Sequence, residues 1–292
     1  MRQYGRFDIA FTFVLLAVAT VGAQTPHSDG SRAAATSSMS WLAAYREPAA
    51  RLIGEAVGST FAWQRLALLT DSIGNRLSGS PALDRAIQWA IEEMKRDGLE
   101  NVHAEPVLVP KWVRGAESAD IVEPAPHPIV MLGLGDSVGT PPEGIQAELL
   151  TVHGFEELDA KSGQARGRIV FFNVPFTTYG ETVRYRANGP SRAARYGAMA
   201  MLIRAVGPDG LRTPHTGALQ YAADAPKIPA AAVAAEDADR LQRMTDRGAR
   251  VVVRLRMDAH FEPDAESANV IGEVRGREKP DEVVVVSGHL DS

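Results

Sequence analysis

The sequence predicts an α/β protein interrupted by a β-rich insertion. Three observations carry that prediction. A strongly amphipathic helix occupies residues 81–97. At about residue 118 the texture changes to short apolar runs punctuated by Pro and Gly, and at about 265 it changes back. The run Val283-Val284-Val285-Val286 is apolar on both faces, as expected of a strand inside a helix-covered sheet.

Composition narrows the function classes. The 292 residues are 45% hydrophobic and 23% charged, enough for a sizeable core. There is no Cys, which excludes disulfides, thiolate metal sites and a Cys nucleophile. Any metal must be held by His, Asp or Glu. A net charge of −5, evenly mixed, argues against a nucleic-acid-binding surface.

At the N-terminus, Arg2 and Arg6 precede the short apolar run Ile9–Val21, and Val21-Gly22-Ala23 offers a small-residue cleavage site. Residues 1–23 thus read as an export signal cut after Ala23, too short to span a bilayer. Residues 24–40 read as a flexible leader or propeptide. The expected location is secreted or periplasmic, with no membrane attachment after cleavage.

The body of the chain starts with helical spacing from Trp41 to Ala56 and again from Phe61 to about Ile73. Residues 81–97 follow, with Ser80 as N-cap, Pro81 at the first helical position and Gly98 as stop. Leu83, Ala86, Ile87, Ala90, Ile91 and Met94 line one face. A strand is expected over 102–109, ending at Pro110. Within the insertion, strands are expected over 128–134, 147–152, 168–174, 198–204 and 250–257, and helices over 190–197 and 236–247. The best alternation is Val251, Val253, Leu255 and Met257 against Arg250, Arg254 and Arg256. Strands 268–274 and 282–287 are expected to form a hairpin.

Ser287-Gly288-His289-Leu290-Asp291-Ser292 follows the valine run. Ligands of open α/β sheets bind at the carboxyl ends of strands, which places His289 well to hold a metal. Asp291 could accept a hydrogen bond from the other ring nitrogen and fix the tautomer. Taken alone, the pattern describes a strand-end histidine satisfied by local hydrogen bonds at least as well.

Several blocks give the pattern a context. They are Arg76-Leu77-Ser78-Gly79-Ser80, Asp97-Gly98-Leu99-Glu100-Asn101-Val102-His103, Leu132-Gly133-Leu134-Gly135, Gly139-Thr140-Pro141-Pro142-Glu143-Gly144, Pro214-His215-Thr216-Gly217, Pro226-Lys227-Ile228-Pro229 and the tail 286–292. In this order they resemble the M28 family of zinc peptidases, over roughly 70–292. The resemblance implies an M28 zinc-peptidase α/β domain (41–117 and 266–292) interrupted by a protease-associated (PA) domain over 118–265. It implies two zinc ions, Zn2+ ligation by His289, support of that ligand by Asp291, peptide substrates and a homodimer. It also implies a bridging aspartate, a Glu-Glu pair, a further aspartate and a last histidine, none of which this chain contains after Asp291. The expected reading is the N-terminal portion of an exported exopeptidase acting on dipeptides or short peptides, inactive by itself. The alternative is a non-catalytic PA-type binding module.

Other residues read as structural. Gly133-x-Gly135-x-x-x-Gly139 lacks the following helix and the Lys of a phosphate loop and is expected to be a turn. His215 is expected to order its own loop, and His153 and His260 to lie at the surface. Arg184, Arg186, Arg192 and Arg195 are expected on a solvated helix face.

Overall fold

A computed structural model describes residues 40–292. The expected export signal (1–23) and the leader (24–40) as far as residue 39 lie outside the described residues. The chain divides into two compact units, Met1–Gln64 and Arg65–Ser292. In the first, a 3-10 turn over Ser40–Tyr45 leads into α1 (Arg46–Gly58). Trp41 and Tyr45 meet edge-on at 6.0 Å between ring centroids. Helix α2 (Phe61–Ser72) leads into the second unit.

The second unit opens with α3 (Pro81–Arg96), where Ser80 Oγ accepts from the Leu83 amide at 3.2 Å and Gly98 ends the helix at φ +82°. Leu83, Ala86, Ile87 and Ala90 are buried as the spacing requires. Strands β1 (Glu100–Val113) and β10 (His260–Glu273) then form a long antiparallel ribbon. Here the sequence expectation is corrected. The first strand does not stop at Pro110 but runs to Val113, with a register shift between Val109 and Lys111. A bulged position demands no ladder N–H, so Pro is tolerated there.

Between the ribbon strands lies a sheet of eight strands. They are β2 (Glu117–Glu123), β3 (His127–Ile129), β4 (Met131–Gly133), β5 (Ile145–Val152), β6 (Ile169–Phe172), β7 (Ala200–Arg204), β8 (Ala230–Val233) and β9 (Val252–Met257). Their order is β3-β2-β9-β5-β6-β7-β8-β4. The pairs β5–β6, β6–β7 and β7–β8 are parallel, and the others antiparallel. The first and last strands in this order, β3 and β4, are separated in sequence only by Val130. The two sheet edges therefore meet and the sheet curls on itself. Glu117 Oε2 accepts from the Gly133 amide at 3.0 Å across this seam.

Helices α4 (Phe155–Ala160), α5 (Ser162–Ala165), α6 (Tyr179–Arg195) and α7 (Ala235–Asp246) cover the parallel strands. Alternate strand residues enter two cores. Ile169, Phe171, Leu202, Val233 and Leu255 pack with Ala238 and Leu241 of α7. Val170, Phe172, Met201 and Ile203 pack with Leu158 of α4 and Tyr185 and Ala193 of α6. Each fully buried aliphatic or Phe side chain contributes about 1.5–3 kcal/mol. The α/β prediction is borne out.

Two more expectations are corrected. Helix α6 does not begin at Pro190. It begins after Thr178, whose Oγ1 accepts from the Glu181 amide at 3.4 Å, and Pro190 lies inside it. A Cβ at Gly189 would stand 3.1 Å from Phe172, so the helix lies tightly against the sheet beside Pro190. Burial at that contact offsets the hydrogen bond Pro removes. The hairpin of 268–274 with 282–287 does not form. Strand β10 pairs with β1 instead, and Val283–Val286 have no ladder partner among the described residues and are 80–92% exposed.

Candidate metal centre

The site grows from the turn between α2 and α3. Gly74, at φ +78°, closes α2 by donating to the Leu69 carbonyl at 3.3 Å. Leu77 packs against the first core, and Ser80 caps α3. Gly79 takes φ +71°, and a Cβ there would stand 3.0 Å from Ala265 Cβ on β10 and 3.4 Å from Lys111 on β1. The turn is thus fixed at the core, at the following helix and at the ribbon. It holds Arg76 only 6% exposed.

Arg76 in turn holds the tail. Its amide donates to the Ser292 carbonyl at 3.1 Å, and its carbonyl accepts from the Ser292 amide at 3.0 Å. Its Nε donates to the Leu290 carbonyl at 2.8 Å, while Nη1 bonds the Gly74 carbonyl. Asp291 is thereby flanked by two anchored residues. Its Oδ1 lies 2.9 Å from His289 Nδ1. The His289 side chain is 91% exposed and that of Asp291 is 42% exposed. With Nδ1–H donated to Asp291, the Nε2 lone pair of His289 is directed outward.

This donor set fits one zinc-ligand position and its supporting carboxylate. It does not make a zinc site by itself, since about three protein ligands are normally needed. Among the described residues no group of three or more His, Asp or Glu is placed to hold a metal. The sequence placed His289 and Asp291 together, but it missed Arg76, which lies more than 200 residues away. The one signal for it was its place in the Arg76–Ser80 block, among those that resemble the M28 peptidases.

The remaining candidates are structural. His215 Nδ1 contacts the Val206 carbonyl and its ring meets Tyr179 edge-on at 6.4 Å, which orders its own loop. His153 and His260 are exposed. In the Gly133–Gly139 segment Gly133 ends β4, Gly135 bridges to Ala218 and the chain turns at Asp136; no helix follows it, and a Cβ at Gly139 would stand 2.7 Å from the Met257 carbonyl. The arginine face of α6 is not simply solvated. Arg186 is buried, donating to Tyr179 Oη at 2.9 Å and the Thr216 carbonyl at 3.3 Å. Arg192 pairs with Asp159, and Arg195 with Asp224 at 2.7 Å. An open groove beside them is lined by Phe155, Asn188, Arg192, Arg195 and Tyr221, and no residue of the His289 segment lines it. Burial raises the pKa of Glu117 against the lowering effect of Arg114 and the Gly133 amide, and burial likewise raises that of Asp136. Glu117 bonds across the sheet seam to the Gly133 amide.

No protein-family model matches the chain. Carboxypeptidase Q of Bos taurus is 51% identical over 230 residues, 79% of this chain and 49% of its own length. The Homo sapiens carboxypeptidase Q is 49% identical over the same 79% of this chain and 49% of its own. The Pongo abelii protein is 47% identical over 254 residues, 86% of this chain and 54% of its own. The chain thus spans about half the length of the curated relatives it matches. Among solved structures, the peptidase M28 precursor of Shewanella amazonensis superposes with TM-score 0.79 at 35% identity, over 84% of this chain and 57% of that one. A zinc aminopeptidase of Bacillus subtilis superposes with TM-score 0.51 at 18% identity, over 74% of this chain and 47% of that one, which speaks for the fold alone. Over most of its length the chain is a carboxypeptidase Q homologue, with an M28 peptidase as structural neighbour.

Proposed function

We propose that this chain is the N-terminal portion of an exported zinc exopeptidase that hydrolyses dipeptides or short peptides. The observation that carries the reading is the 47–51% identity to carboxypeptidase Q over most of the chain. In this reading His289 is a zinc ligand through Nε2, and Asp291 holds the ring through Nδ1–H. His289, oriented by Asp291, would contribute one ligand to zinc, which when bound would supply Lewis-acid polarisation of a scissile carbonyl and activation of a water. One ligand is too few, so residues 1–292 alone are inactive, and the other donors for two ions lie on a continuation of the chain. Residues 118–265 are a PA-like insertion. The containment of the eight-stranded sheet between β1 and β10 supports this. Residues 1–23 direct export. No helix of the described residues is long and apolar enough to cross a membrane. The working enzyme is a homodimer that binds peptides and no nucleic acid.

The test is His289→Ala in the full-length protein, with zinc measured by elemental analysis and turnover on dipeptides. The substitution is expected to lower zinc content and abolish hydrolysis. Unaltered zinc and turnover would sink the ligand assignment. A wild-type protein that binds no zinc yet binds peptides would favour the alternative of a non-catalytic PA-type module.

A further inference from the structure

We infer that Arg76 is a positioning residue for the metal centre, a clasp that sets the backbone of the His289–Asp291 turn. The inference rests on the ligand reading of His289 given above. Among the described residues, 283–292 belong to no helix or strand. Backbone bonds in both directions join Arg76 to Ser292, and the guanidinium Nε holds the Leu290 carbonyl at 2.8 Å. Those contacts lie on either side of Asp291, the residue that orients His289 at 2.9 Å. A clasp must itself be rigid. Arg76 is buried, its Nη1 is tied back to Gly74, and its turn is pinned by Leu77, Gly79 and Ser80.

The geometry separates two contributions of Arg76. The backbone pair with Ser292 survives any side-chain change. Among the described residues, the Leu290 carbonyl is held by the guanidinium alone. Replacing the side chain frees that carbonyl while leaving the turn 73–80 its other anchors. The planar fork of Arg reaches the Leu290 and Gly74 carbonyls together, whereas a Lys ammonium is a single point donor. Partners that orient a ligand from outside the coordination sphere typically change metal affinity or activity 10–100-fold when removed.

The experiment uses the zinc-loaded full-length protein and three variants, Arg76→Ala, Arg76→Lys and His289→Ala. Zinc release to a chelator is followed, alongside kcat and KM on a dipeptide and thermal unfolding of the metal-free protein. The clasp predicts that R76A releases zinc at least about 10-fold faster and loses kcat, with KM within about twofold. R76K falls between R76A and wild type and supplies the comparison if R76A does not fold. Wild-type release rates in both Arg76 variants, with release accelerated in H289A, would overturn the clasp and leave the ligand reading standing. The clasp is overturned in the same way if the variants only lower the unfolding temperature of the metal-free protein. Zinc retained unchanged in H289A would overturn the ligand reading and the clasp with it.

Discussion

Asp237 offers a sharp test of how the curled sheet is closed. Its side chain is only 4% exposed, in the first turn of α7. Oδ2 accepts from the Val130 amide at 2.9 Å, and Val130 is the single residue between the two edge strands β3 and β4. Oδ1 accepts from Arg212 Nη2 at 3.0 Å, and Oδ2 from Arg212 Nε at 3.3 Å. In Asp237→Ala the Val130 amide loses its acceptor, which costs about 1–3 kcal/mol. Loss of an acid from the first helical turn adds about 0.3–1 kcal/mol. Arg212 is 48% exposed and rehydrates, so the broken ion pair adds little. The sum is roughly 1–4 kcal/mol, or about 3–16 °C in Tm for a unit of this size. Asp237→Asn retains an oxygen for Val130 and loses less than half as much. The assay is thermal or denaturant unfolding of the three proteins side by side. An alanine variant within about 0.5 kcal/mol of wild type would show that Asp237 does not close the seam, since surface changes fall in that range. So would an asparagine variant as unstable as the alanine one.

Three further outcomes are expected. Burial opposes ionisation of Glu157, but hydrogen bonds from Lys161 and from the His153 amide and ring outweigh it and bring its pKa from 4.5 to about 2. A carboxylate with a lowered folded-state pKa contributes stability above pH 4.5 that is lost as pH falls through about 2. The stability gap between wild type and Glu157→Gln, no more than about 1 kcal/mol for so exposed a cluster, should therefore close over that interval in a pH series of unfolding curves. Gly139→Ala would place a Cβ 2.7 Å from the Met257 carbonyl and 2.9 Å from that of Ala259, and should cost about 1–3 kcal/mol by denaturant titration. In the full-length protein, Asp291→Asn should leave most zinc bound by elemental analysis while lowering kcat about 10–100-fold, as expected when the group that orients a ligand is weakened.

The parts of the fold that were legible in the sequence are those whose signal is local. The helix over 81–97 declares its face, its Ser80 cap and its Gly98 stop within one window, and all three are present. The alternation of Val251, Val253, Leu255 and Met257 is likewise met by burial of those residues, with Arg254 and Arg256 exposed. Strand β8 was not legible: Ala230-Ala231-Ala232 carries no β-propensity, and its place is set by the crowded interior, where all three are fully buried. Pro190 misled because a local helix-breaking rule was overridden by packing of its neighbour Gly189 against Phe172 and Met201. The valine run misled in another way. Its two apolar faces describe a strand covered on both sides, and covering depends on segments that must pair with it from elsewhere. The candidate site shows the same division. His289 and Asp291 lie two residues apart and were legible together. Arg76 reaches them only through the folded chain, so no spacing rule could have joined them.

If His289 and Asp291 begin a zinc site, later residues must complete it. Reading the coding sequence downstream of the Ser292 codon in the source DNA settles whether they exist. The expected result is an open frame that continues with a bridging Asp, a Glu-Glu pair, a further Asp and a His. A verified stop codon directly after Ser292 would overturn the zinc-site reading, leaving a single-ligand chain whose function would have to reside in the curled sheet between the ribbon strands.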